Sequence, residues 1–289
     1  MSATVIAVTN QKGGVGKTTT AVNLAAALVL NYGKTVLLVD FDPQCNATTH
    51  LGLSPLSGDK PLSSVFLPDS GTEGLHETVV TTSIDGLVLI PGDPKLRHTV
   101  GDNPAILPEH LQPVLEANNH IDYVIIDTPP DLGMLTTNAL NAAAKSPDGF
   151  VLVPVQYSRF AMDGFAHLRR QVKAIAGLLG RDLSSFCKIL LTMSDSRVKL
   201  AREFLDRELS QDSDSLLTTV IRRSQDVMNA QNYAQDVFSY NKSSNAAADH
   251  GRLALEVLGE LTNDGNNEHI AVEATEEEAS QGATAQPTV

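Results

Sequence analysis

The residues best placed to do chemistry lie in the stretch Thr4 to Thr20, TVIAVTNQKGGVGKTTT. Gly13, Gly14 and Gly16 let the backbone turn sharply, so that consecutive N–H groups from Gly13 through Val15 to Thr19 converge at the positive end of the adjoining helix. Such a cradle holds a phosphate chain. Lys17 adds a cation for β- and γ-phosphate oxygens, and the Thr18 hydroxyl is placed to ligate Mg²⁺. The usual P-loop pattern opens with glycine, four residues before Gly-Lys-Ser/Thr. Here that position holds Lys12. A lysine at the mouth of the loop cannot readily fold back on phosphates that Lys17 already holds, so Lys12 is expected to point elsewhere, for example across an interface. The competing reading is a chance Gly-rich turn, and the register of strand, glycines, lysine and threonine speaks against it.

Three carboxylates stand at the ends of apolar runs. TVLLV (Thr35 to Val39) delivers Asp40-Phe41-Asp42-Pro43-Gln44, and the buried run Tyr123 to Ile126 ends in Asp127-Thr128-Pro129-Pro130. In parallel sheets ligands sit at the carboxyl ends of strands, so these groups are expected beside the phosphate cradle. Asp42 is suited to orient or deprotonate an attacking water, and Asp40 is read as lying closer to the metal shell. Asp127 has the Walker-B arrangement, holding Mg²⁺ directly or through water. Polar caps on strand ends are the alternative, weakened by the company these residues keep.

Elements that could position such a site are legible along the chain. Thr18 to Tyr32 is apolar almost all round and stops at Gly33, as expected of a helix packed on a sheet. From Leu51 to Asp85 proline, glycine and serine break the pattern into loops and short helices. Strands are predicted at Gly86 to Ile90, Gly149 to Pro154, Ile189 to Thr192 and Leu217 to Ile221, and helices at Pro104 to Ala117, Met162 to Leu179, Lys199 to Leu209 and Asn245 to Leu261. This alternation is that of an α/β fold with a doubly wound, mostly parallel sheet flanked by helices. Residues 1–261 read as one domain, and residues 262–289 as an acidic, disordered tail.

Composition narrows the classes. The chain has 289 residues, 42% of them hydrophobic, enough for a substantial core. No stretch approaches the ~18 apolar residues of a membrane span, and no signal-peptide layout opens the chain, so a cytosolic protein is expected. Cys45 and Cys187 have no disulfide or metal spacing, and the eight histidines are scattered. A net charge of −13 argues against a surface that coats nucleic acid throughout, yet the six carboxylates after Thr262 account for almost half of it, and −7 remains on the body. A local basic face stays open.

With K-G-G-V-G-K-T-T, D-F-D-P-Q and I-I-D-T-P-P in this order, the chain resembles the ParA/Soj branch of the deviant-Walker ATPases, of the small type without an N-terminal helix-turn-helix. The likeness runs to about Leu261 and takes in VPVQYSRFAMDG and LLTMSDSR. It implies ATP and Mg²⁺ as ligands and slow, partner-stimulated hydrolysis. It also implies a homodimer with ATP sandwiched between protomers, in which Lys12 reaches the partner's nucleotide. The ATP-bound dimer would bind double-stranded DNA without sequence preference, and a ParB-like or equivalent adaptor would release it from the nucleoid. The cargo would be a plasmid, a chromosome or a protein organelle such as a carboxysome. Two departures stand out. Where the family often reads Ile-Pro-Arg-Asn and then a further cation, this chain has Ile221-Arg222-Arg223-Ser224-Gln225-Asp226, and Cys45 replaces the usual glycine. Arg197, Lys199, Arg202, Arg222, Arg223, Lys242 and Arg252 are the candidates for phosphate contacts with DNA. The alternative is a MinD-like regulator on a membrane or protein matrix, without DNA binding. It would want a basic amphipathic C-terminal helix, and this tail is acidic.

Overall fold

The computed structural model describes residues 3–259 apart from residue 56 and residues 68–72, 157–169, 171, 175, 178–179, 182 and 195–215. Short runs of aliphatic and β-branched residues form the strands: β1 (Thr4–Val8), β2 (Val36–Asp40), β3 (Val80–Thr81), β4 (Leu87–Ile90), β5 (Tyr123–Asp127), β6 (Phe150–Gln156), β7 (Cys187–Ser194) and β8 (Leu216–Arg222). They make one eight-stranded sheet in the order β3-β4-β2-β5-β1-β6-β7-β8. Every pairing is parallel except that of β3 on β4.

Successive strand residues face opposite sides of the sheet, and each side has its own core. Val5, Ala7, Leu37, Val39, Val124 and Ile126 pack with Leu107 and Leu111 of α5 (Ile106–Ala117) and Leu140 of α6 (Met134–Lys145). Ile6, Val8, Val36, Leu38 and Ile125 pack instead with Leu24 and Leu28 of α1 (Lys17–Tyr32) and with Leu253 of α10 (Asn245–Leu258). A strand apolar at every position is thus required, because both faces are covered. Smaller helices complete the described chain: α2 (Asn46–His50), α3 (Leu62–Val65), α4 (Leu96–Thr99), α7 (Leu183–Phe186), α8 (Gln225–Asn232) and α9 (Val237–Asn241).

The doubly wound fold expected from the sequence is found, with strand ends within two residues of expectation or a little beyond. The final helix ends at Leu258 rather than Leu261, because Gly259 takes the left-handed conformation that stops it (φ 74°). Six helices lacked a strong sequence signal, among them the very short α2, α4 and α7. The stretch of α6 is rich in Ala, Thr and Asn, with little apolar periodicity, while α8 and α9 are short and start at caps, Ser224 and Asp236, whose side chains accept from backbone N–H groups. The helix expected over 162–179 falls largely outside the described residues, though 170, 172–174 and 176–177 are helical. The helix expected over 199–209 and the acidic tail lie outside them altogether.

Candidate active site

β1 runs between β5 and β6, so the chain leaves its carboxyl end where the winding of the sheet reverses, the place where such sheets bind ligands. In the loop from β1 into α1, Gly13 and Gly14 lie exposed. Gly14 and Gly16 adopt φ of 71° and 90°, conformations costly for other residues. Gly16 is also the N-cap of α1 and offers no side chain to its first N–H groups, which keep their capacity for an anion. The loop is pinned from behind: Thr192 Oγ1 on β7 donates to the Val15 carbonyl at 2.8 Å, and Asn10 Oδ1 accepts from the Lys12 N–H at 2.9 Å while its Nδ2 donates to the Pro154 carbonyl at 2.7 Å. Thr19 sits in the first turn of α1, its hydroxyl accepting from Gln231 Nε2 at 2.9 Å.

Lys17 is buried with its Nζ 3.4 Å from the Lys12 carbonyl. Burial lowers its pKa, against the pull of Asp127, Asp42 and Asp131 toward the charged form. The strand register sets Val8 and Asp40 opposite Asp127, so that three strand tips meet beside the loop. Thr18 Oγ1 donates to Asp127 Oδ2 at 2.6 Å, which turns the threonine lone pairs outward. Asp127 is fully buried, its Oδ1 has no partner, and burial holds its pKa well above the ordinary value, helped by Asp40. A dication beside this pair would reverse that penalty, and an orphaned carboxylate oxygen next to a threonine hydroxyl suits Mg²⁺. Among the described residues no group of three or more His, Cys, Asp and Glu could hold a metal ion.

Asp42 is 5% exposed and accepts from the Gln44 N–H at 3.0 Å through Oδ1. Burial raises its pKa, which makes it a better proton acceptor than an exposed aspartate. Asp40, read as lying closer to the metal shell, neighbours Asp127 in the strand register, and its Oδ1 likewise has no hydrogen-bond partner. Its Oδ2 accepts from both the N–H (2.8 Å) and the hydroxyl (2.6 Å) of Thr48 in α2, and that hydroxyl in turn accepts from the Gly92 N–H at 2.8 Å. A Cβ on Gly92 would lie 2.9 Å from the Asp40 carboxylate carbon and from Cys45 Cα, so only glycine permits this approach. Asp40 thus ties α2 to the tips of β2 and β4. Cys45 is left-handed (φ 54°) and buried, the position glycine would fill without strain, and its thiol is pushed up to about 12 by burial and by Asp40.

The structure describes four of the seven cations expected to face DNA. Arg197, Lys199 and Arg202 lie outside the described residues. Arg223, Lys242 and Arg252 are exposed. Arg222 is exposed as well, and its Nη2 and Nε donate to Asp249 at 2.7 and 2.9 Å, where Asp249 is nearly fully buried. The buried carboxylate on α10 explains why a second arginine is tolerated there. Asp226 sits in the first turn of α8, where a carboxylate complements the helix dipole and a cation would not.

A glycine-rich loop leading into a helix N-terminus at a switch point, with a buried lysine and a Thr–Asp pair, defines a P-loop nucleotide hydrolase. A family model described as "AAA domain" matches residues 3–185. The chain is 36% identical over 256 residues to the sporulation initiation inhibitor protein Soj of Bacillus subtilis, covering 88% of this chain and 97% of that one. It is 35% identical over 260 residues to the chromosome partitioning protein ParA of Caulobacter vibrioides, covering 88% and 93%. Among solved structures, cobyrinic acid a,c-diamide synthase from Mycobacterium smegmatis with bound ADP and magnesium matches with a TM-score of 0.68 and 29% identity over 89% of this chain and 94% of that one. This chain belongs to the ParA/MinD-type deviant-Walker ATPases. It is an ATPase, and ATP with Mg²⁺ is the ligand pair its site is built for.

Proposed function

We propose that this chain is a cargo-positioning ATPase whose nucleotide state sets its affinity for DNA. The observation that carries the reading is the Lys12–Lys17 pair: one lysine buried under the loop, the other half-buried at its mouth, on a chain alike to Soj and ParA over 88% of its length. Residues 13–19 hold the phosphates, the base enters the cleft between α1 and the end of β8, and Lys12 crosses to the nucleotide of a second protomer. Asp42 takes the proton of the attacking water. Thr18 and Asp127, with Asp40 beside them, would hold Mg²⁺, which when bound would neutralise charge on the transferred phosphoryl group. The ATP dimer rests on nucleoid DNA in the cytoplasm through Arg223 and Lys242, which flank the start of α10, and through Arg252. Arg197, Lys199 and Arg202 are kept as further contacts. A ParB-like or equivalent adaptor stimulates hydrolysis and releases the dimer, with a plasmid, chromosome or protein organelle as cargo. Residues 1–261 form the working domain and 262–289 an acidic tail outside it. Among the described residues no helix is long and apolar enough to cross a membrane.

Light scattering after size-exclusion tests the sandwich. With non-hydrolysable ATP and Mg²⁺ the wild type should elute as a dimer, and Lys12→Ala should bind nucleotide yet stay monomeric. A dimeric Lys12→Ala variant would refute the crossing role.

A further inference from the structure

Helix α2 begins without a cap of its own. Its N-cap, Cys45, makes no side-chain hydrogen bond to the first turn and holds the left-handed conformation. The end of β2 supplies what is missing: Asp40 Oδ2 accepts from the N–H of Thr48, third residue of the helix, at 2.8 Å, the bond an N-cap serine or aspartate would otherwise make. A helix of five residues does not hold alone, so α2 stays where Asp40 fixes it. The Thr48 hydroxyl donates to the same carboxylate oxygen at 2.6 Å and accepts from the Gly92 N–H, on the loop after β4, at 2.8 Å. A backbone N–H only donates, so the hydroxyl accepts there and gives its one proton to the carboxylate. Neither Thr48 nor Asp40 has exposed surface.

Between the two ends of this clasp runs the loop that carries Asp42. The loop folds on itself, the Cys45 N–H donating to the Asp42 carbonyl at 2.9 Å and the Gln44 N–H to Asp42 Oδ1 at 3.0 Å, so the direction of the carboxylate follows the placement of the loop. Lys17 of the phosphate loop lies within electrostatic reach of that carboxylate. Valine at position 48 would have the shape of threonine, and its N–H would cap α2 equally well. What the hydroxyl alone adds is the tie from Asp40 to the loop after β4, across a gap that only glycine fits.

We propose that Thr48 is a positioning residue for hydrolysis, its hydroxyl clamping the loop between Asp40 and α2 so that Asp42 stays aimed at the attacking water. The inference rests on the reading of Asp42 as the group that takes the proton of that water. Misplacing a reacting group by ~1 Å costs up to about 10²-fold in rate, and loosening one end of the loop should cost about tenfold.

Single-turnover phosphate release and fluorescence titration with labelled ATP, both on the full chain with Mg²⁺, test the role. Thr48→Val should release phosphate about tenfold more slowly with ATP affinity within about twofold of wild type, and Thr48→Ser, which keeps the hydroxyl, should return to within about threefold of the wild-type rate. A Thr48→Val rate equal to wild type overturns the role. So does a loss that Thr48→Ser shares, one confined to ATP affinity, or one that excess Mg²⁺ restores. Asp42→Ala separates the two claims: wild-type phosphate release from it overturns the reading of Asp42 and this inference with it, whereas a slow Asp42→Ala beside an unimpaired Thr48→Val overturns this inference alone. If Thr48→Val does not fold, Thr48→Ala, which also keeps the N–H and lacks the hydroxyl, is held to the same outcomes.

Discussion

Replacing Arg222 by alanine should damage the fold far more than it damages DNA binding. The Asp249 side chain is 3% exposed and that of Arg222 44%, with guanidinium bonds of 2.7 and 2.9 Å between them. Removing one partner of a fully buried ion pair costs ~3–5 kcal/mol, because the other charge is left unpaired. Here the backbone N–H of Arg222 still donates to Asp249 Oδ2 at 3.0 Å, and the half-exposed arginine admits water. The expected loss is therefore about 2–3 kcal/mol. Asp249→Ala, which returns the guanidinium to solvent, should cost about 1–2 kcal/mol, and adding Arg222→Ala to it should cost little more. Urea unfolding of the four proteins in a double-mutant cycle measures the coupling. In parallel, Arg222→Ala with ATP should keep its DNA affinity within about threefold, whereas Arg223→Ala should weaken binding and lower the salt slope by about one. A stability change below about 0.5 kcal/mol for Arg222→Ala would refute the structural role. A loss of DNA affinity equal to that of Arg223→Ala would make Arg222 a phosphate contact after all.

The nucleotide site yields further expected outcomes. Lys17→Ala should abolish ATP binding in a fluorescence titration, and retained affinity would contradict the phosphate assignment. Asp42→Ala should bind ATP, dimerise and fail to release phosphate, and a phosphate-release rate equal to wild type would remove Asp42 from water activation. Burial raises Asp40 to about 6 in the folded protein, and it raises Asp127 as well. Carboxyls whose folded pKa exceeds the unfolded value stabilise the protein fully below about pH 4, and that contribution disappears as pH rises through about 6. Nucleotide-free wild type should therefore lose stability relative to Asp40→Asn between pH 4 and 7, by at most ~3 kcal/mol, and a difference flat in pH would refute the burial argument.

The phosphate loop and its sheet were legible because the signals are local. Glycines that must turn, a lysine and threonine at fixed offsets, and strands apolar on both faces each declare themselves within a few residues. The features that escaped depend on partners far along the chain. The contacts of Asp40 with Thr48 and Gly92, and the pairing of Arg222 with Asp249, 27 residues later, are of this kind. Helix α6 covers the sheet with small residues whose burial no periodicity announces.

The central claim is that ATP switches DNA affinity, and binding to a random-sequence duplex without nucleotide, with ADP and with ATP, across a salt series, tests it directly. Tight binding only with ATP, falling steeply as salt rises, is the predicted result despite the net charge of −13. Binding that is absent in all three states, or equal in all three, would contradict it.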